Sequence, residues 1–487
     1  QSWLISLFYD CPPNLGIHCP NNESLTMMNT CIEKDWITWH AFPHVAELEI
    51  MDESSIRFGI QMSNDLKRRF NKTESHFISQ NDVPGTTVSA LPILRKNGIY
   101  AFRQGVNVVS QPPNVPNIYQ WKDPVSGDIL LNLNHRNGYG GWRSLDELVI
   151  IPGYSEAMLV AFNDDNQGPY QTGWLSSIFN AAKSFFPQAE VVASSFDDFI
   201  ASAVLYVNEH PESLPVLEGE IPKKLAMMRR IAAARARCEA IGRCDLKDPR
   251  YYNFSRLFIF NGEHTWGGDT KAFLHDTENW SNAQFHRCLR ERQQNYLDTI
   301  GTWEEQRFWG FTAPLQALQG HPLQEAIERE LAELTPTIPD LTQFTPLATL
   351  EEIALGSFTV GVSRETGAIE RLVDARGRVW CDKTHTIGGL QYDVYNTQDY
   401  DRFLKEYFIV WNEWGPQDFG KPHLEAAHNL SSSVFSRFQS AWYHKTNETA
   451  TLVIAMDFER DFHELYGTPE RVFTVLETME ESTEISL

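Results

Sequence analysis

Short strand-like runs alternate with helix-like runs over the first 215 or so residues, and this alternation constrains the fold more than any other feature of the sequence. Strand-like apolar runs occupy residues 76–78, 99–109, 128–134, 156–162 and 191–195. Residues 51–70 instead repeat apolar side chains every four positions, from Phe58 through Met62 and Leu66, which predicts an amphipathic helix. Strands that alternate with helices predict a mostly parallel sheet covered on both faces.

The pattern changes twice further along the chain. From residue 223 the sequence is rich in Ala, Met, Leu and Arg, which favours helices; those expected at 223–241, 282–296, 303–318 and 323–334 predict a bundle. From residue 348 alternating apolar residues predict strands, with a hairpin at 357–373. We therefore predict a multidomain α/β + α + β fold. A mostly parallel α/β sheet domain spans 1–220, a helical bundle 221–345, and an all-β domain 346–487.

The last strand-like run, residues 472–487, continues to the end of the sequence. A strand that stops there would leave an unpaired edge, so we expect the β domain to be incomplete. We likewise expect a processed or partial amino terminus, because the apolar start at residues 2–9 lacks the flanks of a signal peptide.

Composition excludes several classes of partner. The formal net charge is −23, which is unsuited to binding nucleic acid or anionic lipid through a basic surface. No run of about 18 apolar residues is present, so we expect no membrane span. The 14 Trp, 16 Tyr and 29 Phe fit either a sugar-binding cleft, where aromatic faces stack on pyranose rings, or a large aromatic core. The oligomeric state is unknown from sequence.

Cysteines and sequons leave the compartment open. Seven Cys are present without a Cys-x-x-Cys motif, and an odd number leaves at least one without an intrachain partner. Asn-x-Ser/Thr sequons begin at Asn22, Asn71, Asn253, Asn279, Asn429 and Asn447. They are compatible with secretion but also arise by chance.

The sequence Asn-Asp-Val-Pro-Gly at residues 81–85 lies between a strand-like run and a helix-like run. A residue in such a turn lies at the carboxyl edge of the sheet, where open α/β sheets bind ligands. Asp82 is therefore a candidate functional residue. The alternative is that it caps the helix that follows, since Asp is a good N-cap and Pro-Gly is ordinary turn chemistry.

A second unusual segment lies at residues 260–273, where His264 is surrounded by Glu, Trp, two Gly, Asp and Lys. A histidine in such a loop is a candidate metal ligand or catalytic group. The alternative is a structural histidine.

These two segments belong to an ordered set of elements that resembles glycoside hydrolase family 38, the zinc-dependent α-mannosidases, and in particular an uncharacterised branch of that superfamily. The matching elements are Trp-His-Ala-Phe-Pro at residues 39–43 with Glu47 and Asp52 downstream, Asn-Asp-Val-Pro-Gly at 81–85, residues 105–113, residues 165–169, and Glu-His-Thr-Trp-Gly at 263–267 with Lys271. The resemblance extends to about residue 462.

The resemblance implies a retaining glycosidase that acts on a carbohydrate with terminal α-mannose or a similar sugar. It implies that Asp82 is both the nucleophile and a zinc ligand and that His264 is another zinc ligand. A carboxylate nucleophile would attack the anomeric carbon while a second carboxyl acts as acid and then base. We take Asp165 as that second group, with Asp164 as the next candidate; an Asx turn in a solvated loop is the alternative for both.

Four further residues in the matching elements are predicted to bind substrate: Trp39, His40, Trp266 and Asp269. A zinc ion with open positions would hold two vicinal sugar hydroxyls, which would explain a preference for mannose with its axial 2-hydroxyl.

The sequence departs from the family pattern at the metal site. The family's other two zinc ligands, a His and an Asp two residues apart on the first strand, have no match before Asp82. The resemblance would place that strand before Gln1. The segment between Glu218 and the first bundle helix is also shorter than the family's. We therefore expect this polypeptide to bind zinc weakly or not at all and to have little activity.

Two other interpretations remain open. One is a non-catalytic descendant of the family that binds glycans or acts as a scaffold. The other is a deacetylase-like metal hydrolase, for which His40 and His44 have the His-x-x-x-His spacing but precede an amphipathic helix. The resemblance favours a secreted, vacuolar or lysosomal location over the cytoplasm.

Overall fold

The fold is described from a computed structural model of the chain. The structure describes the chain except for residues 13–16, 84, 137, 164–166, 169, 220–228, 266, 269–273, 275, 333–337, 428–429, 480–483 and 487, together with the side chains of 229, 230, 232 and 233.

The described helices and strands follow each other in a mixed order. The helices are α1 (Ser2–Asp10), α2 (Asn22–Glu33), α3 (Glu53–Arg69), α4 (Ala90–Lys96), α5 (Thr172–Phe185), α6 (Phe196–Glu209), α7 (Arg229–Ala240), α8 (Pro249–Phe258), α9 (Asn282–Arg290), α10 (Gln294–Arg307), α11 (Ala313–Ala317), α12 (Pro322–Ala332), α13 (Thr397–Tyr407), α14 (Gly415–Phe419) and α15 (Arg460–Tyr466). The strands are β1 (Phe77–Asn81), β2 (Ala101–Gly105), β3 (Ile118–Lys122), β4 (Ile129–His135), β5 (Val149–Ile150), β6 (Ala157–Met158), β7 (Val216–Glu218), β8 (Thr345–Pro346), β9 (Ile353–Leu355), β10 (Phe358–Val362), β11 (Ile369–Val373), β12 (Val379–Cys381), β13 (Gln391–Val394), β14 (Ser432–Phe435), β15 (Arg437–Lys445), β16 (Thr449–Asp457) and β17 (Val472–Met479).

The chain forms two compact units. The first comprises Gln1–Gly267, Thr302–Leu334 and Tyr407–Trp411. The second comprises Gly268–Gly301, Thr335–Glu406 and Asn412–Leu487. The helices predicted as one bundle are divided between them: α7, α8, α11 and α12 belong to the first unit, whereas α9 belongs to the second.

The first unit contains a five-stranded sheet in the order β1-β2-β4-β3-β7. The pairs β1–β2, β2–β4 and β3–β7 are parallel, and only β3–β4 is antiparallel. The prediction of a mostly parallel sheet is therefore confirmed. The register aligns Asn81, Gly105 and His135 at the carboxyl ends of β1, β2 and β4.

Side chains on the two faces of this sheet enter two different cores. One face, which includes Ile78, Phe102 and Leu130, packs with buried residues of α3 and α4. The other face, which includes Phe77 and Leu133, packs with α6. Strands covered on both faces read as nearly continuous apolar runs, as residues 128–134 do.

Two features of the sequence explain helix α3: an N-cap residue and a repeat of apolar side chains. Asp52 precedes it and accepts a hydrogen bond from the amide of Ser55 at 2.6 Å. Phe58, Met62 and Leu66 lie on its buried face, as their four-residue spacing predicts. Three basic residues in its last turn complement the helix dipole.

In the first unit, helices α7, α8, α11 and α12 share a separate apolar core. A disulfide joins Cys238 to Cys244 at the end of α7, and a second joins Cys11 to Cys19. Cys31, Cys288 and Cys381 are free thiols.

The second unit contains two four-stranded antiparallel sheets, ordered β12-β11-β10-β9 and β17-β16-β15-β8, whose inner faces share one core. The predicted hairpin is present, because β10 pairs with β11 in antiparallel register.

Three local predictions were wrong. Residues 191–195 form no strand; Ser195 instead caps α6 by accepting from the amide of Asp198, and Val192 is 66% exposed. The segment 156–162 contributes only β6. The predicted helix over 282–296 is two helices, because the chain turns between α9 and α10 with Arg292 at φ 57°.

The region 346–487 is not purely β. It also contains α13, α14 and α15, which are 11, 5 and 7 residues long. Within the part of the chain that the structure describes, no helix is both long enough and apolar enough to cross a membrane.

Candidate functional site

Asp82 lies immediately after β1, at the carboxyl edge of the parallel sheet. Its amide donates to the carbonyl of Gly105 at 2.8 Å, which extends the β1–β2 ladder by one bond. Its φ of 61° is left-handed, a conformation that Asp tolerates better than most residues. The helix-cap alternative was wrong, because α4 begins eight residues later with Ser89 at its N-cap position.

The carboxylate of Asp82 is held by two neutral donors, Asn107 and Tyr139, and faces His264. The side-chain amide of Asn107 donates to Oδ1 at 3.2 Å. The oxygen of that amide accepts from the backbone amides of Val109 and Ser110, so its NH2 group is the end that faces Asp82. Burial acts to raise the pKa of Asp82, but hydrogen bonds from His264, Tyr139 and Asn107 outweigh it and lower that pKa. Asp82 is therefore an anion at neutral pH.

Tyr139 reaches Asp82 because of a glycine on β2. A Cβ on Gly105 would lie 2.7 Å from the carbonyl oxygen of Gly138, closer than any real contact of that kind. The absence of a side chain at Gly105 lets the backbone at residues 138–139 lie directly over the end of β2. That close approach positions Tyr139 beside Asp82.

His264 is brought to Asp82 by a chain of backbone and side-chain contacts. The side-chain oxygen of Gln80, on β1, accepts from the amide of Ala46 at 2.8 Å. Ala46 in turn forms an antiparallel bridge with Glu263, and the amide of Glu47 donates to Gly262 at 2.7 Å. The segment 46–47 thus links β1 to the turn that carries His264.

The imidazole of His264 lies between two carboxylates. Its Nε2 is 3.8 Å from Oδ2 of Asp82, and its Nδ1 is 2.7 Å from Oε1 of Glu263. The other oxygen of Glu263 accepts from the amide and hydroxyl of Thr265. Burial lowers the pKa of His264, but the hydrogen bonds and charges of Asp82 and Glu263 raise it to about 9 overall. An imidazolium ion therefore faces Asp82 at neutral pH.

Arg103 supports the edge from within the sheet. It is 2% exposed, and its guanidinium donates to Oγ of Ser79 at 2.9 Å and to Oδ1 of Asn81 at 2.5 Å. It also donates to the backbone carbonyl of Tyr139. Burial lowers the pKa of Arg103 to about 9. One side chain thus joins the end of β1 to the loop that carries Tyr139.

Asp82 and His264 are residue types that bind zinc, but two ligands do not make a complete zinc site. Two zinc ligands with bonds of about 2.0–2.1 Å in tetrahedral geometry lie roughly 3.3 Å apart, so the 3.8 Å separation is within a small movement of that distance. Glu263 orients the ring through Nδ1, as carboxylates commonly do behind metal-binding histidines. A structural zinc needs four protein ligands and a catalytic one three. Across the described residues, no group of three His, Cys, Asp or Glu is placed to hold a metal.

Of three aromatic side chains in and near the Trp-His-Ala-Phe-Pro segment, Trp39 and His44 are buried and His40 is partly exposed. Trp39 is 4% exposed and its indole nitrogen donates to the carbonyl of Ser63 at 3.1 Å. His40 accepts from the amide of Phe42 through Nδ1, and burial lowers its pKa well below the usual value. His44 is buried against Phe260 at 5.0 Å between ring centroids. Substrate binding by Trp39 and His40 stays a prediction, and the two histidines do not complete the three-ligand set that the deacetylase-like interpretation needs.

The remaining predicted residues lie outside the described part of the chain. These are Asp164, Asp165, Trp266, Asp269 and Lys271.

Sequence reasoning missed the roles of Asn107, Tyr139, Arg103 and Glu263. Asn107 and Tyr139 each follow a parallel strand by a few residues, on the same edge as Asp82. The rule that ligand-binding residues follow the carboxyl ends of parallel strands could have found both. The sequence does not predict the role of Arg103. A charged residue within a strand usually indicates that the residue lies on an edge strand or on a face exposed to solvent.

Comparison with solved structures identifies proteins that are similar to this chain in fold. Over 95% of this chain and 66% of the other, it is similar to an α-mannosidase from Enterococcus faecalis V583, with a TM-score of 0.52 and 12% sequence identity. It is also similar to a protein of glycosyl hydrolase family 38 from Enterococcus faecalis, with a TM-score of 0.46, 10% identity, and 96% and 65% of the two chains covered. The chain thus shares the fold of the first of these proteins and spans just under two thirds of its length.

The family itself is defined by sequence. Residues 219–486 match the family described as "Domain of unknown function (DUF5054)", and the chain belongs to that family. The chain matches none of the curated proteins at a significant level.

Proposed function

We propose that this chain is a glycoside hydrolase of the retaining, α-mannosidase-like type, with Asp82 as its nucleophile. One observation carries the proposal: Asp82 stands in a left-handed conformation at the carboxyl edge of the parallel sheet with its Oδ2 3.8 Å from Nε2 of His264. The similarity in fold to an α-mannosidase supports the choice of reaction class.

The surroundings of Asp82 suit a nucleophile. In the first step one carboxylate oxygen would form a bond to the anomeric carbon while the bond from that carbon to the leaving oxygen breaks. Asn107 and Tyr139 orient the carboxylate, and their hydrogen bonds help to lower its pKa, so that it is ionised without a separate base. The cationic His264 would stabilise this carboxylate when it leaves in the second step.

The leaving oxygen also needs a proton donor, and Glu263 is poorly suited to that role. Both of its carboxylate oxygens are engaged, one by His264 and the other by Thr265. We therefore keep Asp165, with Asp164 second, as the proposed acid, which after bond cleavage would take a proton from the attacking water. A retaining mechanism requires its carboxyl about 5 Å from that of Asp82.

We propose that zinc binds this site only weakly. Among the residues that the structure describes, Asp82 and His264 would supply two donors, which is short of the three that a catalytic zinc site uses. The proton that His264 carries at neutral pH would also have to leave before a metal could bind its Nε2. No step above depends on the ion.

The test is an assay on an aryl α-mannoside with wild-type protein, Asp82→Asn, and Asp65→Asn as a matched exposed carboxylate on α3. We expect slow turnover that Asp82→Asn lowers by at least about a thousandfold or abolishes, and that Asp65→Asn leaves unchanged. Turnover by Asp82→Asn equal to wild type would disprove the assignment. A chelator arm measures whether residual metal contributes.

The incomplete donor set favours a second candidate, a non-catalytic protein that binds glycans or acts as a scaffold. It predicts that methyl α-mannoside binds and that Asp82→Asn leaves the affinity unchanged, with no turnover in either protein. Turnover decides between the two: no hydrolysis of the aryl α-mannoside by wild-type protein would favour this candidate over the first.

We also propose that the protein functions in an oxidising compartment, secreted or vacuolar/lysosomal. Two disulfides, Cys11–Cys19 and Cys238–Cys244, support this location, because such bonds are rare in the reducing environment of the cytosol. Peptide mapping of native protein without reductant would detect both bonds; free thiols at all four positions would contradict the proposal.

A further inference from the structure

A large polar cavity lies at the opposite edge of the sheet from Asp82. Its volume is about 1690 Å³, and its lining includes His76 and Tyr100, which precede β1 and β2, and Ile129, which begins β4. Asp82 follows β1 six residues after His76, which at about 3.3 Å per residue places it roughly 20 Å away along the strand. The cavity is therefore separate from the candidate active site.

At the cavity lining, a buried lysine and an aspartate face each other without forming a hydrogen bond. Nζ of Lys67 lies 3.9 Å from Oδ2 of Asp197, and the two side chains are 8% and 30% exposed. Ser75 donates to Oδ1 of Asp197 at 2.8 Å, which fixes that carboxylate. Lys67 lies 4.9 Å from the ring centre of Trp39, and within the described part of the chain its ammonium group has no hydrogen-bond acceptor.

This pair has the spacing for a bridging hydroxyl group. A hydroxyl oxygen about 2.8 Å from each atom would accept from Lys67 and donate to Asp197. Little of the Lys67 side chain is exposed, and a ligand hydroxyl that gives its ammonium group an acceptor would stabilise the complex. Burial lowers the pKa of Lys67 and raises that of Asp197, as expected for a poorly solvated pair.

An aromatic platform lies on the same cavity. Trp36 lines it and is 69% exposed, and Nζ of Lys34 lies 4.7 Å from its ring centre. A cation occupies only one face of a ring, so the other face remains available for stacking. Tyr100, 38% exposed, is a second aromatic side chain in the lining.

The charges of the lining nearly cancel. Among the described lining residues four are basic (Lys or Arg) and five are acidic. Such a surface does not select an anion or a cation. It offers closely spaced donors and acceptors and an exposed aromatic ring within one cavity, which suits an uncharged molecule with many hydroxyl groups.

We propose that this cavity is an accessory binding site for a neutral saccharide, in which a sugar hydroxyl bridges Lys67 and Asp197 and a pyranose ring stacks on Trp36. The site is distinct from Asp82 and does not take part in hydrolysis. It depends on the proposed function only for the choice of an α-mannoside as the probe.

The experiment is a titration of methyl α-mannoside by saturation-transfer NMR, carried out in the Asp82→Asn background so that nothing is hydrolysed. We expect a Kd on the order of 1 mM in that background. Lys67→Met, which preserves side-chain volume, should raise Kd by about fivefold or more, because one hydrogen bond to a charged group is lost. Trp36→Ala should have a similar effect.

Two matched controls change the same residue types elsewhere in the first unit. Lys96→Met removes an exposed lysine outside the cavity, and Trp174→Ala removes a tryptophan of comparable exposure that is absent from the cavity lining. Neither should change Kd. Trp36 is exposed, so we expect Trp36→Ala to fold normally. This variant therefore tests the proposal even where Lys67→Met folds poorly.

Two results would overturn the proposal. One is unchanged affinity in Lys67→Met and Trp36→Ala, which would assign the binding to another surface. The other is no binding up to about 50 mM saccharide. Neither outcome affects the assignment of Asp82, because that assignment depends on turnover of an aryl α-mannoside. In the same way, loss of turnover in Asp82→Asn says nothing about binding in this cavity.

Discussion

Nε2 of His264 lies 3.8 Å from Oδ2 of Asp82, and the same ring donates from Nδ1 to Glu263 at 2.7 Å. A histidine held this way has one nitrogen fixed by a carboxylate and the other aimed at a second carboxylate. The arrangement provides an oriented donor pair for a metal, and without one His264 and Asp82 form an ion pair. Whether zinc can replace the proton between them decides how the site is used.

Zinc titration by calorimetry addresses this point directly. We expect no tight 1:1 binding by the wild-type chain at neutral pH, because the described residues supply only two donors and the imidazole proton must be displaced. Any weak heat should disappear in Asp82→Asn and in His264→Gln. Tight stoichiometric binding that both variants abolish would show that further ligands complete the site.

Substitution of Gly105 tests whether the loop over β2 is held by steric fit. Gly105→Ala would place a Cβ 2.7 Å from the carbonyl oxygen of Gly138, so the loop must shift. We expect a loss of about 1–3 kcal/mol in the free energy of unfolding, typical of overpacking, together with lower turnover as Tyr139 moves away from Asp82. Urea denaturation measures the first effect.

Gly173→Ala is the matched control for that substitution. Gly173 lies in the first turn of α5, where an added Cβ would have nothing within 4 Å, and Ala favours a helix over Gly. We expect unchanged or slightly higher stability. Equal behaviour of the two variants would show that the approach at Gly105 is unimportant.

The sheet edge could be predicted from sequence because its signals are local. The turn at residues 81–85 follows a strand-like run, and that alone places Asp82 at the carboxyl edge. The partner His264 could not be placed this way. Its position depends on the bridge between Ala46 and Glu263 and on the Gln80 side chain, which are long-range contacts without a periodic pattern.

Short strands show the same division between local and long-range signals. Strands β3 and β7 were not predicted, since they are five and three residues long and are defined by their neighbours in the sheet. Residues 191–195 have the composition of a strand but lack a partner, because Ser195 is committed to capping α6. Composition favours a strand, but pairing decides it.

Arg103 should stabilise the sheet edge substantially. Arg103→Met removes the guanidinium that donates to Ser79, Asn81 and the carbonyl of Tyr139, three acceptors that are partly buried. We expect a loss of about 2–5 kcal/mol in the free energy of unfolding. Lysine should not rescue it, since a single ammonium group cannot reach all three acceptors.

Arg68→Met is the control for the loss of an arginine from a solvated position. Arg68 is half exposed and paired with Asp65 and Glu74 on the surface. We expect a change of less than about 0.5 kcal/mol. A similar loss in both variants would mean that the three bonds of Arg103 contribute little to stability.

His135 should make the stability of the first unit sensitive to acid. It ends β4, is 6% exposed, and burial together with the charge of Arg103 lowers its pKa to about 3. Its ordinary value is about 6.5, so between pH 6.5 and about 3 the unfolded chain binds a proton at this position that the folded chain does not. Stability is therefore unaffected by this group above about pH 6.5 and falls as the pH decreases below it.

His135→Gln isolates this effect from the titration of the carboxylates, which both proteins share. Urea unfolding at pH 6 and at pH 5 should show that wild-type protein loses about 1 kcal/mol more than His135→Gln over that interval. His385→Gln removes a histidine that is 87% exposed and should follow the wild-type curve. Parallel curves for wild type and His135→Gln would mean that His135 titrates alike in the folded and unfolded chain, and that the end of β4 is open to water.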